Sequence, residues 1–173
     1  MKRKLQPEIY YGIGSGLGLS LWILAEYALG FHNRFLKIGI YSGYASTLIP
    51  LLLIYIALHK HQLLTHRKLF FIDGINIGFK IVLISSLLLT IFLYFYNTKI
   101  NPQWIELMVD LQKKKLILGG ATDDEIGKFV LQHRVMNNPV IQAIIGFIGS
   151  TTVGVVVTLI EISIIRKYFR PIV

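Results

Sequence analysis

Cysteine is absent from all 173 residues, which excludes a disulfide framework, a thiolate zinc site and a cysteine nucleophile together, and leaves the redox compartment undetermined. Acidic residues are scarce, nine Asp and Glu against eighteen Lys and Arg, for a formal charge of +9. Such a balance can signal nucleic acid. Here most of the excess lies in short clusters flanking apolar blocks, where basic side chains set orientation and touch anionic lipid, and no nucleic-acid module accompanies it. Nucleic acid is therefore not an expected partner. Catalytic signatures are also missing: there is no phosphate loop, G-x-S-x-G elbow, H-E-x-x-H or dinucleotide fingerprint. The glycine-rich stretch Gly12 to Gly18 follows no strand, so it reads as a packing surface. We expect no enzyme activity, cofactor or metal.

Apolar residues dominate what is present, at 54% of the chain, with a mean hydropathy of +0.60. They come in blocks long enough to cross a hydrocarbon layer of about 30 Å, which takes roughly 20 helical residues. The sequence predicts an all-α membrane protein: a single domain of four transmembrane helices with a two-helix amphipathic hairpin between the third and fourth. Met1 to Lys4 followed by an apolar block resembles a signal peptide, with Ala28-Leu29-Gly30 as a poor cleavage site. The block is too long for one and three more follow, so an uncleaved first span is the better reading.

The spans fall at about 9–30, 38–58, 69–96 and 140–165. In the first, Gly12, Gly14, Ser15, Gly16 and Gly18 allow close helix approach, and Trp22, Tyr27 and Phe31 suit an interface. The second has Gly39 and Gly43 in small-xxx-small spacing, then Ser46, Thr47 and Pro50. These predict a mild kink whose freed carbonyls are satisfied by the hydroxyls or by neighbouring helices. The third is long enough to tilt or protrude. It holds Gly74 and Gly78 and leaves through Phe92, Tyr94, Phe95 and Tyr96. The fourth carries Gly146, Gly149, Ser150 and Gly154. Helix-packing positions are thus Gly12, Gly16, Gly39, Gly43, Gly74, Gly78, Gly149 and Gly154.

The hairpin occupies about 101–136. Asn101 can cap a helix beginning at Pro102, and Gly119-Gly120 ends it. Thr122-Asp-Asp-Glu125 forms a capping box for the next helix, on which Ile126, Phe129, Val130, His133 and Met136 share one stripe while Glu125, Lys128 and Gln132 lie elsewhere.

Lys2, Arg3, Lys4, Lys60, Arg67, Lys68, Arg166, Lys167 and Arg170 concentrate on one side in three short stretches. Arg34, Lys37, Lys99, Lys113, Lys114, Lys115, Lys128 and Arg134 lie on the other, most of them spread over the hairpin. Density near span ends outweighs charge deep in a translocated loop, so both termini are expected in the cytoplasm and residues 97–138 outside it.

Ionisable groups inside apolar spans are the first functional candidates, because each is costly to hold in lipid. Asp73, Asn76 and Lys80 share a face of the third span, and Lys80 should snorkel towards its start. Glu161 lies at a similar depth, which suggests a Lys80–Glu161 ion pair with Asp73 as competitor or relay. The plainer reading is polar glue between helices. Glu26 reads as an interfacial carboxylate satisfied by water, Arg34 or Lys37. Together with His32 it is also the one pairing that resembles acid and base at headgroup level. His59, His61 and His66 lack a completing carboxylate and read as solvated loop residues; His133 reads as a packing residue.

Several segments in order resemble the DUF4199 family of small bacterial membrane proteins. They are Trp22-Ile-Leu-Ala-Glu26-Tyr27-Ala-Leu-Gly30-Phe-His32, Gly39-Ile-Tyr-Ser-Gly43-Tyr, Gly74-Ile-Asn-Ile-Gly78-Phe-Lys80, Tyr94-Phe-Tyr96 before Ile100-Asn101-Pro102, and Asn137-Asn138-Pro139 before Phe147-Ile-Gly149-Ser150. The resemblance implies four spans with a long loop before the last, and the inner membrane of a Bacteroidetes-type bacterium, with the hairpin in the periplasm. It implies no activity and no functional residues.

Two functional readings follow. One is a non-enzymatic accessory or scaffold subunit whose small-residue faces and hairpin dock onto a second copy or a larger membrane complex. The other is a small carrier or channel for an ion, proton or lipid that uses Asp73, Lys80 and Glu161.

Overall fold

The computed structural model describes residues 6–66, 68–136 and 138–168. Lys2, Arg3, Lys4, Arg67, Asn137 and Arg170, named above for charge or motif, lie outside the described residues.

Helix α1 (Pro7–Ala28) opens with Pro at its first position and Glu8 in its first turn, both suited to a helix start. It ends at Gly30, whose φ of +79° suits glycine. The Gly30 carbonyl accepts from the amides of Arg34 at 2.8 Å and Phe35 at 2.9 Å, which closes the turn into α2 (Leu36–Ala45). α3 (Leu48–Thr65) follows almost at once. The expected irregularity falls at Ser46 and Thr47, which both keep right-handed helical angles, so α2 and α3 form one helical stretch, Leu36–Thr65. Pro50 has no amide to donate to the Ser46 carbonyl, which accepts instead from the Ile49 amide at 3.1 Å, and the two hydroxyls bond back along α2. Ser46 Oγ donates to the Gly43 carbonyl and Thr47 Oγ1 to that of Tyr44, both at 2.7 Å.

His66 closes α3 in the left-handed region at φ 51°, and α4 (Phe71–Phe95) begins. It runs on into a single π-turn, Tyr96–Ile100, in which the Asn101 amide reaches back to the Tyr96 carbonyl at 2.8 Å. α5 (Trp104–Leu118) and α6 (Asp123–Met136) follow, joined by a short turn, and α7 (Pro139–Tyr168) ends the described chain. Pro102 does not start α5: Asn101 turns inward, and the helix begins at Trp104 with no side-chain cap. The other two hairpin expectations hold. Gly120, at φ +82°, lets its amide reach the Ile117 carbonyl while Ala121 reaches that of Leu116, a Schellman ending. Thr122 and Glu125 exchange the reciprocal bonds of a capping box.

α4 is the central helix, packed between α1 and α7, with α3 touching all three. Glycine decides how closely they approach. A Cβ at Gly12 would lie 2.8 Å from Ile84 Cβ, and one at Gly16 2.8 Å from Leu88 Cβ, which sets α1 on α4. Gly74 meets Ile162, Gly78 meets Thr158, and Gly154 meets Val82, setting α7 on the opposite side. Gly39 lies against the Phe31 carbonyl. Gly43 and Gly149, expected to pack likewise, have nothing within 4 Å. Ser85 donates to Ser15 at 3.0 Å across the α1–α4 seam. Ile54, Leu58, Ile81 and Ile162 are completely buried at the centre.

Three helical stretches, Leu36–Thr65, Phe71–Ile100 and Pro139–Lys167, are long and apolar enough to cross a membrane. α1 is not among them, because its glycines and serines contribute little hydropathy. No strand occurs among the described residues.

Candidate functional site

The densest polar cluster lies where α1, the following turn and the π-turn meet. Glu26 is in the last turn of α1 and is only 5% exposed. One helical turn earlier, Trp22 donates its indole N–H to Glu26 Oε1 at 2.9 Å, an i,i+4 contact that the helix supplies by geometry. The tight turn at Gly30 folds His32 back over the helix end, so that its Nε2 lies 3.2 Å from Glu26 Oε2. On the other side His32 Nδ1 hydrogen-bonds the Tyr96 hydroxyl, which also accepts from Asn101 Nδ2 at 3.1 Å.

Donor accounting fixes the direction of this chain. Asn101 gives a proton to the Tyr96 oxygen, so the phenol hydrogen points to His32 Nδ1, and Nε2–H donates to the acceptor-only carboxylate. Burial pushes His32 below its usual 6.5, with the hydrogen bond and charge of Glu26 opposing. The imidazole is therefore neutral near pH 7, and the Glu26–His32 contact is a hydrogen bond between a carboxylate and a neutral ring.

Aromatic rings enclose the chain. Trp104 of α5 lies over His32 with centroids 4.2 Å apart, and Tyr27 meets Tyr96 edge-on at 6.0 Å. Beside them opens a half-open cavity of about 250 Å³. Glu26, His32, Tyr96, Asn97, Trp104 and Gly43 are in its wall. Asn97 donates to Gln142 at 3.1 Å, while its own Oδ1 is buried and has no partner.

Other residues singled out from the sequence do not converge. Lys80 is exposed and donates to Gln6 Oε1 at 3.2 Å, so its stem does lead towards the start of α4 as expected, but its ammonium does not meet Glu161. Glu161 is 4% exposed, and neither carboxylate oxygen has a hydrogen-bond partner. The depth-matched pair is thus corrected: α7 turns Glu161 inward while the Lys80 face of α4 looks outward. Asp73 is part-buried in the first turn of α4, and Asn76 is exposed. Glu26 is satisfied by Trp22 and His32, not by the exposed Arg34 or Lys37. His59 stacks on Tyr55, His61 lines a small cavity with Glu8 and Lys60, and His133 packs on Phe129 as expected. No cluster of three metal-ligating side chains occurs among the described residues.

Sequence reading reached Glu26 and His32 but missed Tyr96, Asn97, Asn101 and Trp104 as their companions. Only the Trp22–Glu26 spacing and the run Tyr96-Asn97 before Asn101 hinted at them.

Fold and site together define a membrane-embedded helical protein whose bundle carries a buried carboxylate–imidazole–phenol chain at one end. Within that class the chain belongs to the DUF4199 family, a family described as a protein of unknown function, whose match runs over residues 10–167. No curated protein and no solved structure matches it.

Proposed function

We propose that this protein is a four-span, non-enzymatic accessory subunit of a bacterial inner membrane that docks onto a second copy or a larger membrane complex. In this reading α1, the α2–α3 unit, α4 and α7 are the spans, both termini are cytoplasmic, and the α5–α6 hairpin is periplasmic. α1 can cross despite its modest hydropathy because α4 receives its small-residue face.

The observation that carries the reading is the low internal burial of the peripheral spans. Six of the eight packing positions meet an internal neighbour, whereas Gly43 and Gly149 border open cavities. Only 11% of the most apolar stretch of Leu36–Thr65, and of Pro139–Lys167, is buried inside the chain. These peripheral spans keep helix-packing surface that one copy does not use. Crosslinking in native membranes followed by affinity purification tests the reading. A discrete adduct that disappears in Gly149→Leu while helicity persists is expected; protein that stays monomeric and crosslinks to nothing sinks it.

A second reading, a carrier or channel, draws on Glu161. A buried carboxylate with no donor needs a proton or cation as partner, and such groups often mark intramembrane pathways. Proton or cation flux in reconstituted vesicles that is abolished by Glu161→Gln favours it, and Lys80→Met should leave that flux unchanged because Lys80 faces away.

A further inference from the structure

We propose that the cavity bounded by α1, α2 and α5 is a binding site for an ammonium group, carried either by a lipid headgroup or by a small soluble amine. Four features of the wall agree on that chemistry. Glu26 supplies a formal negative charge. Its two engaged oxygens have taken one donor each, and a carboxylate can accept about four. Asn97 Oδ1 is a buried acceptor without a donor. Trp104 lines the same space, and cations are attracted to aromatic faces. Among the described residues no lysine or arginine lines the cavity, and neutral His32 does not cancel the carboxylate.

Other ligands fit less well. An anionic phosphate would meet Glu26 with no cationic counterpart. A divalent metal would find one carboxylate where hard cations take six or more oxygen ligands. An apolar chain would leave Asn97 Oδ1 unsatisfied, a penalty that binding sites avoid. The volume of about 250 Å³ far exceeds the roughly 10–15 Å³ one water centre needs, so an organic ammonium fits. Gly43 keeps one wall open: nothing stands within 4 Å of its Cβ position.

The chain provides its own probe. Trp22 and Trp104 are its only tryptophans, one bonded to Glu26 and the other on the cavity wall. Intrinsic fluorescence of the full chain in detergent therefore reports on this site alone. Titration with short-chain phosphatidylethanolamine, with ethylammonium chloride and with matched short-chain phosphatidylglycerol is the experiment. A saturable change with an ammonium compound is expected, at least about ten-fold weaker in Glu26→Gln, given the usual strength of hydrogen bonds to charged groups. It should vanish in Gly43→Leu, which fills the cavity without touching the polar chain. Saturation by the lipid alone identifies a headgroup, and saturation by ethylammonium alone identifies a soluble amine; both uphold the site. If Glu26→Gln loses helicity by circular dichroism, Asn97→Leu replaces it with the same direction expected. Phosphatidylglycerol binding as well as the ammonium lipid, or unchanged affinity in a folded variant, overturns the proposal.

Discussion

Glu26 and His32 show what a single turn can do to two polar side chains. Read along the sequence, the carboxylate sat near an interface with Arg34 and Lys37 within reach. In the fold, Gly30 reverses the chain and His32 covers the carboxylate first. His32 binds its proton more weakly in the folded protein than in the unfolded chain. Its contribution to stability is complete above the usual value of 6.5 and is lost as pH falls through that value towards the lowered one. The groups facing it are Glu26 from α1 and Tyr96 from the π-turn. Detergent-solubilised protein should therefore melt at lower temperature at pH 5 than at pH 7.5. His32→Gln should flatten that dependence whatever it does to the absolute melting point. A slope equal in both proteins contradicts the assignment. The glycines give a second residue-scale contrast. Gly78→Leu must displace Thr158, and overpacking of this kind costs about 1–3 kcal/mol, whereas Gly149→Leu should leave the isolated protein's melting temperature nearly unchanged.

At the scale of elements, short-range chemistry was legible and long-range partnering was not. The Thr122–Glu125 box and the Gly119-Gly120 stop are written in four or five consecutive residues, and the fold realises both. The Glu125 carboxyl is held below its usual range chiefly by the Thr122 amide, with the hydroxyl adding to it. Thr122→Ala should speed amide exchange in the first turn of α6 on the order of five-fold, the usual weight of such a cap, without altering exchange in α4. Ser46, Thr47 and Pro50 announced the local irregularity correctly. Asn101 illustrates the limit: its cap signal was genuine, and the Tyr96 hydroxyl outbid the helix for the side chain. Nothing local to Asn101 disclosed that contest.

For the whole molecule, apolar block length alone foretold an all-helical chain with long spans, because every backbone amide in lipid must be bonded within its own segment. The relation of α4 to its neighbours was not readable, since several glycine faces could have met in many combinations. Topology is directly measurable, because a chain without cysteine accepts single reporters. Lys60→Cys should react with a membrane-impermeant maleimide only after the inner membrane is opened. Lys113→Cys, on the exposed surface of α5, should react in cells whose outer membrane alone is permeable. The reverse pattern would invert the proposed orientation.

The π-turn at Tyr96–Ile100 works as a phase shifter. One residue more than an α-helical turn needs is accommodated there, and α-helical pitch advances about 100° per residue. The wide turn absorbs that residue, and its closing bond from the Asn101 amide to the Tyr96 carbonyl holds the Asn101 side chain on the Tyr96 hydroxyl; deleting Thr98 removes the surplus and with it the wide turn that places Asn101. The turn that leads into α5 thus depends on a single surplus residue.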